Sequence, residues 1–272
     1  MKLGFGIAAG LDRDVAREIG ALCQELGYAS LWSNDHPAAS GLETLTALGD
    51  SAPELELGVG ALALDRHSPA EIAAKVEELS IEPQRLWLAI GAGFSPRPLG
   101  AVRSGIEELR VLLPSGVRIA AAAMGPMMCA LAGEIADGAF LNWMTPERAK
   151  WAQARIADGA RSAGRDVPNI FGYVRVAVDG RATDRLIKEE GFYRELHDGY
   201  RKHFAELGTK LGSVGVASND PEEVVKGLRS YDDSHDHVVV RALASANFDS
   251  MATVARVAAP TMETARVTSP QR

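Results

Sequence analysis

The sequence predicts a single-domain (β/α)8 barrel. Apolar runs of strand length alternate with segments of helical periodicity along most of the 272 residues, and this alternation is typical of a parallel sheet with helices on its faces. Eight such units in one chain of this length favour the barrel, with a doubly wound α/β sheet as the main alternative. No linker or run of like charge divides the chain. We therefore expect one domain over residues 1–259 and a disordered tail over residues 260–272.

Each predicted strand is a short apolar run. The third is almost continuously apolar, as expected for a strand that is covered on both faces. The predicted strands cover residues 3–8, 30–33, 57–64, 86–90, 117–123, 139–142, 170–178 and 237–241.

The predicted helices are recognised by their start signals and their periodicity. Ser68 precedes a proline and is followed three residues later by Glu71, which gives an N-cap, a proline in the first turn and a capping-box glutamate. Thr145 precedes Pro146 and Glu147 in the same way. The predicted helices cover residues 15–26, 43–50, 102–112, 126–135, 146–163, 221–230 and 248–258, with one more starting at Ser68 and a longer segment over 183–207.

Composition excludes several classes of function. The formal net charge is −7, and Lys and Arg do not cluster, which argues against a nucleic-acid partner. No stretch approaches the ~20 apolar residues of a membrane span, and the first residues lack the apolar run of a secretory signal, so a cytoplasmic protein without a membrane partner is expected. Cys23 and Cys129 are far apart and have no ligand-spaced neighbours, so we expect two buried thiols and no metal site.

Four predicted strands end in residues that can take part in catalysis or cofactor binding. In a barrel, the carboxyl ends of the strands form the active site. Each of these ends also has a purely structural interpretation, because aspartate can cap a turn and glycines occur in many turns. The ends carry Asp35 and His36, then Gly91, Ala92 and Gly93, then Gly125 and Pro126, and finally Asn142 and Trp143.

These strand ends are suited to a planar, phosphorylated cofactor. Gly125 and Pro126 open a helix directly after a strand, so that backbone N–H groups and the positive end of the helix dipole can face a phosphate. Glycines at the end of the fourth strand allow a flat ring to approach the backbone closely. Trp32 and Trp143 are candidates for the walls of such a ring site, with ordinary core packing as the alternative.

Five segments resemble the bacterial luciferase-like flavin and deazaflavin oxidoreductases, and together they span nearly the whole chain. The Asp-His pair and the Gly-Pro-Met run most resemble the actinobacterial branch that uses coenzyme F420, a deazaflavin hydride carrier. The segments are GYASLW at 27–32, which leads to Asp35 and His36, LGVGAL at 57–62, AEIAAKV at 70–76, RLWLAIGAG at 85–93 and LAGEIADGA at 131–139.

The resemblance implies roles for individual residues. Asp35 and His36 would contact the deazaflavin ring, with His36 as proton donor or acceptor. Gly60 and Ala61 fall where family members hold a non-prolyl cis peptide against the ring. The remaining cofactor contacts implied are Gly91, Ala92 and Gly93 at the ring or its ribityl chain, Ala122, Gly125 and Pro126 at the phosphate, and Trp32, Asn142 and Trp143 around the ring and at the rim.

The predicted function is hydride transfer between coenzyme F420 and a small organic substrate by a homodimeric enzyme. An FMN-dependent monooxygenase and a non-catalytic cofactor-binding protein are the alternatives. Several deazaflavin enzymes have a glutamate after the Gly-x-Gly segment, whereas this chain has Phe94. The substrate would contact variable segments, including 188–211. Four ring side chains recur there close to helical spacing. They could form a lid over the site or the half-buried face of an ordinary amphipathic helix. These are Tyr193, His197, Tyr200 and His203.

Overall fold

Eight parallel strands close into a barrel in the computed structural model, which describes residues 1–260. The predicted tail, apart from Pro260, lies outside the described residues. Strands β1 to β7 pair in chain order, and β9 closes the ring by pairing with both β7 and β1. A ninth, two-residue strand, β8, pairs with β7 and was not predicted. The strands are β1 (Lys2–Ile7), β2 (Ser30–Ser33), β3 (Glu56–Ala63), β4 (Leu86–Gly91), β5 (Arg118–Ala123), β6 (Gly138–Asn142), β7 (Asn169–Ala177), β8 (Val216–Ala217) and β9 (His237–Ala242).

Helices surround the barrel, and the predicted start signals are confirmed. The Ser68 side chain and the Glu71 side chain form a capping box, and the Thr145 hydroxyl accepts from the backbone N–H of Arg148. The helices are α1 (Arg13–Glu25), α2 (Gly41–Gly49), α3 (Pro69–Glu78), α4 (Pro98–Leu112), α5 (Pro126–Ile135), α6 (Pro146–Ser162), α7 (Ala182–Leu196), α8 (Asp198–Leu207), α9 (Pro221–Arg229) and α10 (Phe248–Val257).

The longer segment predicted over 183–207 consists of two helices, α7 and α8. The chain is extended at His197, with φ −167° and ψ 169°, and the His197 Nδ1 atom accepts a hydrogen bond of 2.8 Å from the backbone N–H of Gly199. This residue therefore ends α7 and caps α8. None of the helices within residues 1–260 is long and apolar enough to cross a membrane.

Two of the buried hydrophobic clusters among residues 1–260 build the barrel itself. Aliphatic side chains fill the layer between strands and helices, where Cys23 and Cys129 are buried as free thiols. The inside of the barrel is aromatic, with the Trp32 ring 4.8 Å from Phe140 and 5.3 Å from Phe171. Inward-facing residues alternate along each strand, so this packing fills the barrel below its carboxyl-terminal mouth.

Helices α5 and α6 pack backbone to backbone through two glycines. A Cβ on Gly133 would collide with the carbonyl oxygen of Ile156, and one on Gly159 with the carbonyl oxygen of Ala130.

We expect Gly133→Ala to lower the free energy of unfolding by roughly 1–3 kcal/mol through overpacking. Gly100 in α4 has open space around its Cβ position, so Gly100→Ala should instead raise stability by about 1 kcal/mol. Urea denaturation of both variants checks this, and similar effects at both sites would contradict it.

Candidate active site

Small residues from β3, β4 and β5 meet at the mouth of the barrel. A Cβ on Gly91 would lie 3.6 Å from the Cβ of Ala122 and 3.8 Å from that of Ala61. All three residues are partly exposed. We call Ala61, Gly91 and Ala122 the small-residue floor; a flat ring could lie against it in contact with main chain. The peptide bond between Gly60 and Ala61 is cis, which confirms the expectation for this position.

The loop after β4 is held in place by an aspartate from the preceding loop. Gly93 has φ +59°, and the Asp65 carboxylate occupies the space that a Cβ on Gly93 would need. An Asp65 oxygen accepts a hydrogen bond of 2.9 Å from the backbone N–H of Phe94. Gly93 is therefore required both by its backbone conformation and by this close contact. The Phe94 ring is 61% exposed and lies 5.1 Å from the His197 ring.

Helix α5 begins beside the floor without a side-chain cap. Gly125 is its N-cap residue, with φ −93° and ψ 165°, and the space around its Cβ position is open. Helices α3 and α6, by contrast, have capped first turns. Because the first N–H groups of a helix need acceptors and carry partial positive charge, the start of α5 can bind an anion. The prediction that a helix begins at Gly125 and Pro126 is thus confirmed.

The Asp35 carboxylate binds protein groups rather than facing the open mouth. One oxygen accepts from the backbone N–H of Gly41 at 3.0 Å, and the other lies 2.8 Å from both Arg66 Nη2 and His67 Nε2. The Asp35 side chain is only 3% exposed. The carboxylate already has these partners and ties the β2–α2 loop to the β3–α3 loop, and contact of Asp35 with a ring stays a prediction.

His36 is exposed and does not contact Asp35 through its side chain. Its Nδ1 atom accepts a hydrogen bond of 3.2 Å from the backbone N–H of Ala38, and its backbone pairs with Ala39 at 3.2 and 3.0 Å. This bond requires an unprotonated Nδ1, so the neutral imidazole carries its hydrogen on Nε2. The histidine that meets Asp35 is His67. Sequence reasoning missed it, although Arg66 and His67 lie in the loop directly after the third strand and are its guanidinium and imidazole side chains.

We expect Asp35→Asn to lower the free energy of unfolding by roughly 1–3 kcal/mol, because the charge-assisted bonds to Arg66 and His67 are lost in a mostly buried position. Asp50 offers a matched control, since it pairs with Arg13 and Arg17 on the surface. Asp50→Asn should cost less than about 1 kcal/mol. Urea denaturation at constant pH measures both, and equal losses would contradict the tying role of Asp35.

Helices α7 and α8 cover the part of the mouth that β6 and β7 form; we call this pair the cover. The Trp143 ring lies 5.1 Å from Tyr193 of α7 and 5.5 Å from Phe204 of α8. The Tyr200 hydroxyl accepts from Asn142 Nδ2 at 3.2 Å, and His203 Nε2 lies 2.7 Å from the Trp143 carbonyl oxygen. Burial lowers the pKa of His203, which favours the neutral ring donating to that carbonyl. The ring side chains of this segment thus meet the strand ends, as a lid would.

Neither candidate tryptophan forms an open wall. Trp32 is fully buried inside the barrel, and its Nε1 atom donates to the Ser30 hydroxyl at 2.8 Å. Trp143, expected at the rim, is at the end of β6 but lies beneath the cover. The Asn142 carboxamide oxygen accepts from Arg175 of β7, a residue that sequence reasoning did not single out. An arginine inside an otherwise apolar strand was the available signal.

The chain belongs to the luciferase-like monooxygenase family, whose model matches residues 100–237. A 5,10-methylenetetrahydromethanopterin reductase of Methanolobus tindarius is 27% identical over 179 residues, which are 53% of this chain and 55% of that protein. The protein of the same name from Archaeoglobus fulgidus is 26% identical over 194 residues, 58% of each chain. The chain thus spans little more than half the length of the curated relatives it matches.

Solved structures of two kinds share the fold. An F420-dependent secondary alcohol dehydrogenase in complex with an F420–acetone adduct has a TM-score of 0.74 at 16% identity, over 94% of this chain and 98% of that one. The oxygenating constituent of 3,6-diketocamphane monooxygenase from Pseudomonas putida, in complex with FMN, has a TM-score of 0.65 at 15% identity, over 96% and 99%. At these identities, the likeness establishes the fold alone.

Proposed function

We propose that the protein is an oxidoreductase that transfers a hydride between coenzyme F420 and a small organic substrate. The observation that carries the proposal is the small-residue floor beside the uncapped start of α5, which fits a flat ring next to a phosphate. Family membership and the reductase relatives support it. Bound F420 supplies a hydride from a ring carbon, which favours two-electron chemistry over oxygen activation.

In this proposal each part of the mouth has a separate task. Ala61, Gly91 and Ala122 contact the ring, with Gly60 behind them, Ala92 and Gly93 alongside, and Asn142 and Trp143 at the covered edge. The N–H groups that follow Gly125 and Pro126 bind the phosphate. His36 exchanges a proton with the substrate through Nε2. Nδ1 carries a hydrogen during this exchange, so the imidazole has to release the backbone N–H of Ala38 that Nδ1 otherwise accepts. Asp35 is a positioning residue that fixes the loop on which His36 lies.

Titration of the purified protein with F420 and with FMN tests the proposal and its alternatives. We expect F420 to bind, and the reduced complex to consume no oxygen. Exclusive binding of FMN, with rapid oxygen uptake after reduction, would instead support a monooxygenase, whose FMN complex shares this fold. Binding of F420 without turnover of any alcohol, aldehyde or unsaturated carbonyl compound in a screen would favour a cofactor-binding protein.

Assembly as a homodimer and a cytoplasmic location stay predictions. Sedimentation analysis of the purified protein measures its oligomeric state.

A further inference from the structure

Two arginines point into the barrel at its mouth from neighbouring strands. Arg175 of β7 and Arg241 of β9 are direct partners in the parallel register. They follow Tyr173 and Val239, which belong to the inner aromatic core, by two residues each. Side chains two apart on a strand share a face. Arg175 and Arg241 therefore enter the barrel together, one layer above that core, and they are only 3% and 7% exposed.

Neither arginine has a carboxylate partner within residues 1–260. Arg175 donates to the Asn142 carboxamide oxygen and stacks on the Trp143 ring with its guanidinium carbon 3.7 Å from the ring centre. Arg241 donates to the carbonyl oxygen of Ala242 at 2.8 Å. The chain does pair another buried group, since Glu190, which is fully buried, binds Arg194. Glu189 acts on the charge of Arg175 from a distance, but no carboxylate contacts either arginine among residues 1–260. Two buried positive charges without a contacting carboxylate are costly to the fold, and such a pair is suited to bind an anion from elsewhere.

The surroundings of Arg175 also contain unused hydrogen-bond donors. Among the described residues, the Arg175 Nε, Trp143 Nε1 and Tyr173 hydroxyl groups are buried without a hydrogen-bond partner. All three can donate a hydrogen, and the Trp143 indole and the guanidinium can only donate. Burial lowers the pKa of Arg175, which reflects the cost of its charge in this position. A cluster of buried donors without acceptors is suited to a group with several acceptor oxygens.

We propose that Arg175 and Arg241 bind an oxyanion, a carboxylate or a phosphate, carried by the organic substrate. The identity of this anion as part of the substrate rests on the proposed function, whereas the anion site itself does not. Trp143, Tyr193 and Tyr200 would contact the apolar body of the same molecule. Because the cover buries Arg175, α7 and α8 have to open for the anion to reach it.

Calorimetric titration of the cofactor-free protein with three small aromatic probes tests the site. Benzoate and phenylphosphonate carry the two kinds of oxyanion, and benzamide is their uncharged counterpart. We expect at least one anion to bind roughly tenfold or more tightly than benzamide, as for hydrogen bonds to a charged group. The anion that binds more tightly, benzoate or phenylphosphonate, shows whether the substrate carries a carboxylate or a phosphate. Equal affinity for all three probes would overturn the proposal.

Variants of the two arginines test whether they cause the tighter binding of the anionic probes. Arg175→Gln and Arg241→Gln should each abolish it, whereas Arg103→Gln, which breaks an exposed pair with Glu134, should leave it intact. Should a glutamine variant fail to fold, Arg175→Lys and Arg241→Lys keep the charge without the planar donor geometry and should reduce the preference several-fold. A preference that survives at both positions would show that the arginines serve only the fold. F420 binding is measured on the same variants and should persist. Loss of the anion site can then be distinguished from failure of the proposal that the protein binds F420.

Discussion

His36→Ala is expected to lower kcat by about 100- to 10,000-fold, the range for loss of a general acid or base. The dissociation constant of the cofactor should change much less, because the floor and the start of α5 are untouched. One limb of the wild-type pH–rate profile should be absent in the variant. Steady-state kinetics at saturating cofactor, together with a separate binding titration, measures these quantities.

His36→Asn separates proton exchange from a structural role. The asparagine oxygen can replace Nδ1 as acceptor for the backbone N–H of Ala38, but the amide cannot exchange a proton. If His36 carries the proton, the asparagine variant should be as slow as the alanine variant. Recovery of wild-type kcat in His36→Asn would show instead that the residue only shapes the turn before α2.

Gly125→Asp is expected to weaken cofactor binding by about 10- to 100-fold, the equivalent of one or two hydrogen bonds to a charged group. The open space and the ordinary φ at Gly125 accommodate the side chain. Its carboxylate would cap α5 and occupy the N–H groups meant for the phosphate. Stability should therefore be unchanged or slightly higher while affinity falls, a combination that general damage to the fold would not produce.

A graded series at the same position distinguishes charge from capping. Gly125→Ala adds neither a cap nor a charge and should bind the cofactor about as well as the wild type. Gly125→Asn caps the helix without charge and should have intermediate affinity. Fluorescence titration of the three variants measures the order, and an aspartate variant with wild-type affinity would refute the phosphate site.

Local signals in the sequence were sufficient for the barrel and for much of its mouth. The apolar runs predicted all eight barrel strands, and the capping signals at Ser68 and Thr145 predicted two helix starts correctly. Two residues of the floor, Ala61 and Gly91, were expected at the ring, whereas Ala122 was expected at the phosphate and lies beside Gly91, one residue before the end of β5. These features depend on a few neighbouring residues each.

What the sequence did not predict depends on contacts between distant segments. The partner of Asp35 is His67, 32 residues later, and nothing in local spacing selects it over the adjacent His36. Arg175 and Arg241 become neighbours only because β9 inserts between β7 and β1 to close the barrel. The break at His197 has no local signal, because the near-helical spacing of the ring residues continues across it.

The floor of the mouth has a consequence for changing the specificity of this protein. Ala61 and Ala122 contribute one methyl group each and Gly91 none, so truncation can deepen the site there by at most two methyl groups, and nearly every other replacement would fill it. Mutant libraries aimed at new substrates would therefore gain little from these strand ends. The productive positions lie on α7 and α8, where Tyr193 and Tyr200 can be resized without altering a barrel strand.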